Sequence, residues 1–126
     1  MALCAEAASL TIQRKSLLQA TDLQLVAGEI TAICGPNGAG KTSLLRVLAG
    51  DASPSTGRVC LNDQPLGHWA ATDRAQALAV LPQHSSLEFA FAVEDVVALG
   101  RTPHNSGYRH DRLIVSAALA AIDGEQ

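Results

Sequence analysis

At 126 residues, 48% hydrophobic and 17% charged, the chain is sized for one globular domain with its own core, which excludes two ordinary domains and an intrinsically disordered chain. A formal charge of -3 without a Lys/Arg cluster lacks the electrostatic footprint of a nucleic-acid binder, so a phosphate-bearing ligand must be met by local chemistry. Cys4, Cys34 and Cys60 form no C-x-x-C pair and are odd in number, which favours reduced, partly buried thiols over a disulfide framework. The stretch Met1 to Glu6 has neither the basic region nor the apolar core of a signal peptide, and no uncharged apolar run approaches the ~20 residues that span a bilayer.

In chain order, Leu3 to Ile12 suits a first strand, and Asp22 to Val26 alternates polar with apolar residues as a half-buried strand does. Ala27-Gly28-Glu29 turns into Glu29 to Cys34, a β-branched apolar run expected as a buried strand. Gly35-Pro36-Asn37-Gly38-Ala39-Gly40-Lys41-Thr42 follows and meets G-x-x-x-x-G-K-[ST] at each fixed position. Ser43 to Ala49 reads as a helix with an apolar face at Leu44, Leu45 and Leu48, stopped by Gly50. Turn formers fill Asp51 to Gly57, and Arg58 to Leu61 is a short strand ended by Asn62-Asp63. A short helix is expected around Trp69 to Gln76, then a buried strand from Leu78 to Leu81 terminated by Pro82-Gln83. Val93 to Leu99 is helical and closed by Gly100, and Arg101 to Arg109 is a loop. Asp111 to Ile122 places Leu113, Ile114, Ala117, Ala118 and Ala121 on one helical face.

The order strand, glycine loop, helix is the one a phosphate-binding loop requires. Gly35, Gly38 and Gly40 leave the backbone open for a polyphosphate, and the amides at the loop's end point at it along the positive end of the helix dipole. Lys41 is placed to bridge the β- and γ-phosphates, and the Thr42 hydroxyl to complete the oxygen shell of a Mg²⁺ ion. Antiparallel strands ahead of the loop, and the lack of G-x-G-x-x-G, set it apart from a dinucleotide fold.

Gly28-Glu29, the loop Gly35 to Thr42, the Leu44-Leu45-Arg46 helix and Ser53-Pro54-Ser55-Thr56-Gly57 are similar to the opening of an ABC transporter ATP-binding subunit, and Leu81-Pro82-Gln83 resembles its Q-loop. Residues Leu81 to Leu87, then Phe89, Phe91, Val96-Val97, Leu99-Gly100-Arg101 and Pro103-His104, most resemble the hemin importers, with iron-siderophore and cobalamin importers as close competitors. The resemblance spans essentially the whole chain. It implies an α/β P-loop NTPase of ABC type: an amino-terminal antiparallel β subdomain, P-loop and core up to the Q-loop in residues 1–83, and the start of the helical subdomain in residues 84–126.

It also implies Mg-ATP as ligand, held by Gly35, Pro36, Asn37, Gly38, Ala39, Gly40, Lys41, Thr42 and Ser43. Lys41 and Gln83 take the catalytic roles, and Thr42 and Gln83 face the metal. A Gln83 amide at a strand end suits such a role, because its oxygen can reach a metal or a water and swing away afterwards. The implied partners are a second ATP-binding subunit, a transmembrane permease meeting Ser85 to Phe91, and indirectly a periplasmic substrate-binding protein; nucleic acid is not among them. The implied place is the cytoplasmic face of the cell membrane. Phe89 and Phe91 are either permease contacts or core residues.

Three departures from the family are visible. The signature, the Walker B carboxylates and the switch histidine do not occur within the 126 residues, so a fragment without ordinary turnover is expected, or a non-catalytic nucleotide-binding module. Ile12-Gln13-Arg14 stands where many relatives carry an adenine-stacking aromatic residue, and Ala92 where hemin importers often have a helix-capping Thr. A DNA-maintenance ATPase is disfavoured by the acidic balance. His68, His84, His104 and His110 lack metal-ligand spacing, Glu94-Asp95 complements a helix dipole, and Trp69 is expected at the domain edge.

Overall fold

A strand holds in a sheet when neighbours take up its backbone donors and acceptors. Strand β1 (Leu3–Ile12) has them on both sides, with β2 (Lys15–Leu25) antiparallel along one edge and β3 (Thr56–Leu61) along the other. A two-residue β4 (Gln64–Pro65) completes the order β2-β1-β3-β4. The computed structural model describes residues 2–83 and 90–123, and the chain divides into two units, Met1–Ala70 and Ala71–Gln126.

Strand β1 lies where the sequence places it, whereas β2 begins at Lys15, well ahead of Asp22. Gln13 and Arg14 both take positive φ, 48° and 65°, and close a two-residue hairpin between the paired Ile12 and Lys15. The same turn joins β3 to β4 through Asn62 and Asp63, at φ 50° and 62°. Asn and Asp tolerate that backbone and announce the second turn; Gln and Arg do not announce the first.

Within β1, Ala7 is an extra residue at φ 46°: pairing steps from Ala5↔Leu23 to Ala8↔Thr21 and from Glu6↔Arg58 to Ser9↔Thr56. This bulge turns both Ala5 and Ala8 into the core, although they are three positions apart. The Asp22 carboxylate accepts the Ala7 N–H at 2.7 Å, so the unpaired residue keeps a partner. Gly57 faces the bulge, and a Cβ there would strike the carbonyls of Glu6 and Ala7.

Helix α1 (Lys41–Ala49) packs on β1 and β2. It buries Leu44, Val47 and Leu48, while Leu45, expected on that face, is 53% exposed. Spacing of three and four residues defines the stripe, and Leu45 falls beside it. Gly50 ends the helix in left-handed backbone with its N–H on the carbonyls of Arg46 and Val47. With Leu10, Leu18, Val59, Leu61 and Leu66 these residues make the core of the first unit. Trp69 is half-buried, its indole N–H enclosed without a hydrogen-bond partner among the described residues.

The buried strands expected at 29–34 and 78–81 are not formed. Ile30 and Leu81 are almost wholly exposed, and neither run pairs with a strand among the described residues. Apolar, β-branched composition supplies strand propensity, but a fully buried strand also needs neighbours on both edges.

The second unit holds α2 (Ala71–Ala77), α3 (Val93–Leu99) and α4 (Tyr108–Asp123). The first two agree with the sequence reading; α4 starts at Tyr108, taking Tyr108 and Arg109 out of the expected loop. Its first turn is organised by the Asp111 carboxylate, which accepts from Arg101 Nε and from Ser106 Oγ, each at 2.8 Å. Foremost the Arg101 hydrogen bond, then that of Ser106, hold Asp111 below the usual carboxylate range. Helices α3 and α4 pack together, and α4 turns inward along Asp111, Ile114, Val115 and Leu119, so the expected Leu113 is 70% exposed. Ala92 stands at the N-cap of α3 with no side-chain cap bond. Among the described residues no helix is long and apolar enough to cross a membrane.

Candidate functional site

The segment between β2 and α1 carries the loop. Gly28 at φ 82° turns the chain out of β2, and the Ala39 N–H closes a turn on the Pro36 carbonyl at 3.2 Å. Gly40 is the N-cap of α1 at φ 89°, and its carbonyl accepts the Leu44 N–H at 2.8 Å. The loop sits against β2 there: a Cβ on Gly40 would lie 2.8 Å from the Leu17 carbonyl oxygen. Only glycine satisfies both the left-handed backbone and that approach.

Gly40 has no side chain to cap α1, and the first turn contains no acidic residue. The opening amides of the helix are therefore left for an external acceptor, at the end of the dipole that favours negative charge. Lys41 Nζ donates to the carbonyls of Gly35 at 2.6 Å and Pro36 at 2.7 Å. An ammonium has three donors, so these contacts fix it at the loop mouth with one N–H left for a phosphate oxygen. Among the described residues no carboxylate forms an ion pair with it. Thr42 is exposed on the first turn of the helix, beside the half-buried Ser43. Residues 16–21 of β2, with Gly38 and Ala39, line an adjoining cleft of about 490 Å³.

The loop residues Gly35 through Ser43 thus meet in one place. Gln83 is exposed and belongs to the second unit. His84 and Phe89 lie outside the described residues, as does most of the expected permease segment; Phe91, at its end, is 57% exposed. Ile12 is 44% exposed, and Gln13 and Arg14 form the β1–β2 turn. The cysteines differ from the common expectation of partly buried thiols: Cys60 is buried, Cys4 half-buried and Cys34, next to the loop, exposed. What sequence reading missed is the cleft wall from β2, since residues 15–21 lack the alternation that marks a strand.

Similarity to known proteins agrees with this geometry. The model of the family described as "ABC transporter" matches residues 18–124. A hemin import ATP-binding protein, HmuV, of Pseudomonas fluorescens strain Pf-5 is 57% identical over 109 residues, covering 86% of this chain and 43% of the relative. The protein of the same name from Pseudomonas aeruginosa is 50% identical over 117 residues, covering 91% and 46%. The chain thus spans less than half the length of these relatives. The solved structure of a bacterial Atm1-family ABC exporter with ATP bound superposes with a TM-score of 0.74 at 26% identity, covering 99% of this chain and 22% of that one. An antiparallel sheet, a glycine loop bent against its edge strand and an uncapped helix behind Lys41 meet a match across most of the sequence, and the chain belongs to the ABC transporter family, with the ABC-type P-loop NTPase fold.

Proposed function

We propose that this chain supplies the ATP-binding part of the energy-coupling subunit of an importer whose cargo is hemin, and that Mg-ATP is the ligand of the loop. The observation that carries this is the uncapped, carboxylate-free start of α1, with the Lys41 ammonium held at the loop mouth. The cargo rests on relatives named as hemin import ATP-binding proteins at 50 to 57% identity. The amides of Gly38, Gly40, Lys41, Thr42 and Ser43 hold the β-phosphate, and Gly35, Pro36, Asn37 and Ala39 shape the loop around it. Lys41 neutralises the β/γ charge, and Thr42 and Gln83 hold Mg²⁺. A bound Mg²⁺ would screen the phosphates and polarise the γ-phosphoryl group.

In the full-length protein Gln83 reports nucleotide state to the segment Ser85 to Phe91, which meets the permease. Two such subunits pair on two nucleotides at the cytoplasmic face of the membrane, and hydrolysis drives transport of cargo delivered by a periplasmic binding protein. The test is calorimetry of Mg-ATP on the purified chain, with phosphate release followed in parallel. Saturable binding that weakens about tenfold or more in Lys41→Ala is expected, the loss of one charge-assisted hydrogen bond being about 1.5–3 kcal/mol. Equal affinity in Lys41→Ala would refute the assignment of the loop.

A further inference from the structure

Away from the phosphate loop, strand pairing places Cys4 opposite Cys60 and Glu6 opposite Arg58. Residues two apart on a strand share a face, so all four side chains meet on one side of the sheet. A sulfur from each cysteine and a carboxylate oxygen of Glu6 lie within 4.8 Å of one another. We propose that Cys4, Cys60 and Glu6 form a binding site for a thiophilic divalent cation of the zinc class, a ligand the nucleotide reading does not call for.

The donor set and spacing suit such an ion. Zinc takes thiolate sulfur at about 2.3 Å and carboxylate oxygen at about 2.0–2.2 Å, so donors at tetrahedral angles stand about 3.5–3.8 Å apart. The three groups need to close by about 1.3 Å at most, within reach of side-chain rotation. Burial is graded along the site, with Cys60 buried, Cys4 half-buried and Glu6 exposed. An ion is thereby gripped from the sheet interior and reached from solvent. On the open side, Cys4, Glu6, Asp22 and Asp63 line a cleft of about 460 Å³, with room for a water as fourth ligand.

Arg58 completes the arrangement. Its Nε and Nη2 donate to Glu6 Oε2 at 2.7 and 2.6 Å, leaving Oε1 for the ion. The guanidinium can therefore remain in place while the carboxylate ligates, orienting it as outer partners of metal ligands do. Charge also balances: two thiolates and a carboxylate carry three negative charges, the ion returns two, and Arg58 returns the third. The two protons leave the thiols for solvent as the ion binds.

The experiment is a Co²⁺ titration of the reduced chain under a phosphine reductant, in a Cys34→Ser background that removes the exposed thiol. Expected are a thiolate-to-cobalt charge-transfer absorption and the visible bands of tetrahedral cobalt, saturating at one ion per chain and displaced by Zn²⁺. Cys4→Ser should lose most of the charge-transfer intensity. Glu6→Gln, an exposed change that leaves the core intact, should keep the charge-transfer band and weaken affinity about tenfold or more, at least the loss seen for outer-shell partners. No charge-transfer band at one equivalent, a band indifferent to Cys4→Ser, or unchanged affinity in Glu6→Gln would each overturn the proposal.

Discussion

Gly38 and Gly40 hold nearly the same left-handed backbone, φ 83° and 89°, in different surroundings. A Cβ at Gly38 meets nothing within 4 Å; at Gly40 it would lie 2.8 Å from the Leu17 carbonyl oxygen and 3.4 Å from Leu18 Cδ1. Gly38→Ala therefore isolates the conformational cost, roughly 1–2 kcal/mol for an L-residue in left-handed backbone. Gly40→Ala adds an over-packing cost of about 1–3 kcal/mol, because the obstacle is strand backbone, which cannot rotate aside as a side chain does. The sum, about 2–5 kcal/mol, is a large share of the 5–15 kcal/mol typical of a domain. Trp69, the only tryptophan, lies in the same unit and reports its unfolding in urea by fluorescence. The unfolding free energy of Gly40→Ala should fall about 1–3 kcal/mol further than that of Gly38→Ala. Losses within about 0.5 kcal/mol of each other, the scatter of unremarkable surface substitutions, would refute the seating of the loop on β2.

Two further outcomes follow from packing and charge. Leu48→Ala removes a side chain that is 3% exposed and should cost about 2–5 kcal/mol, whereas Leu45→Ala, 53% exposed, should cost far less; a reversed order in urea denaturation would refute the assigned face of α1. Asp111, with its folded pKa lowered by Arg101 and Ser106, contributes stability that is present above the ordinary carboxylate value of about 3.9 and is lost as pH falls through the lower folded value. Protection factors of the α4 amides, with exchange referred to the intrinsic rate at each pH, should accordingly fall on acidification, and Asp111→Asn should remove that pH dependence while lowering protection of α4 at neutral pH.

The parts of this fold legible in the sequence are those whose partners lie close along the chain. The loop 35–42 carries its turn, its cation and its helix start within eight consecutive residues; Gly50 closes its helix on the carbonyls three and four positions back, and Gly100 on the carbonyl three back. The end of β3 is legible because Asn62 and Asp63 favour the backbone that the turn imposes, whereas the two-residue β4 beyond them carries no pattern of its own. Its counterpart at Gln13 and Arg14 is imposed by the pairing of β1 with β2, so nothing local marks it, and the start of β2 disappears with it. A residue pattern states what a segment can do, and only pairing decides whether it does so.

Pairing accounts for the rest. Ile30 and Val80 stand in runs as apolar as β1, yet they are exposed, because no strand among the described residues lies beside either run. Conversely, Cys4, Glu6, Arg58 and Cys60 carry no spacing that a motif search would recognise, and the register Cys4↔Cys60, Glu6↔Arg58 alone makes them neighbours. That register depends on the bulge at Ala7 following Glu6 rather than preceding it. One position earlier, Glu6 would be the extra residue and would leave the face it shares with Cys4. The pairing of β1 with β2 and β3 around that bulge thus sets which of its side chains face Cys60 and Arg58 and which face the core, and the Asp22 carboxylate gives the bulged Ala7 N–H its partner.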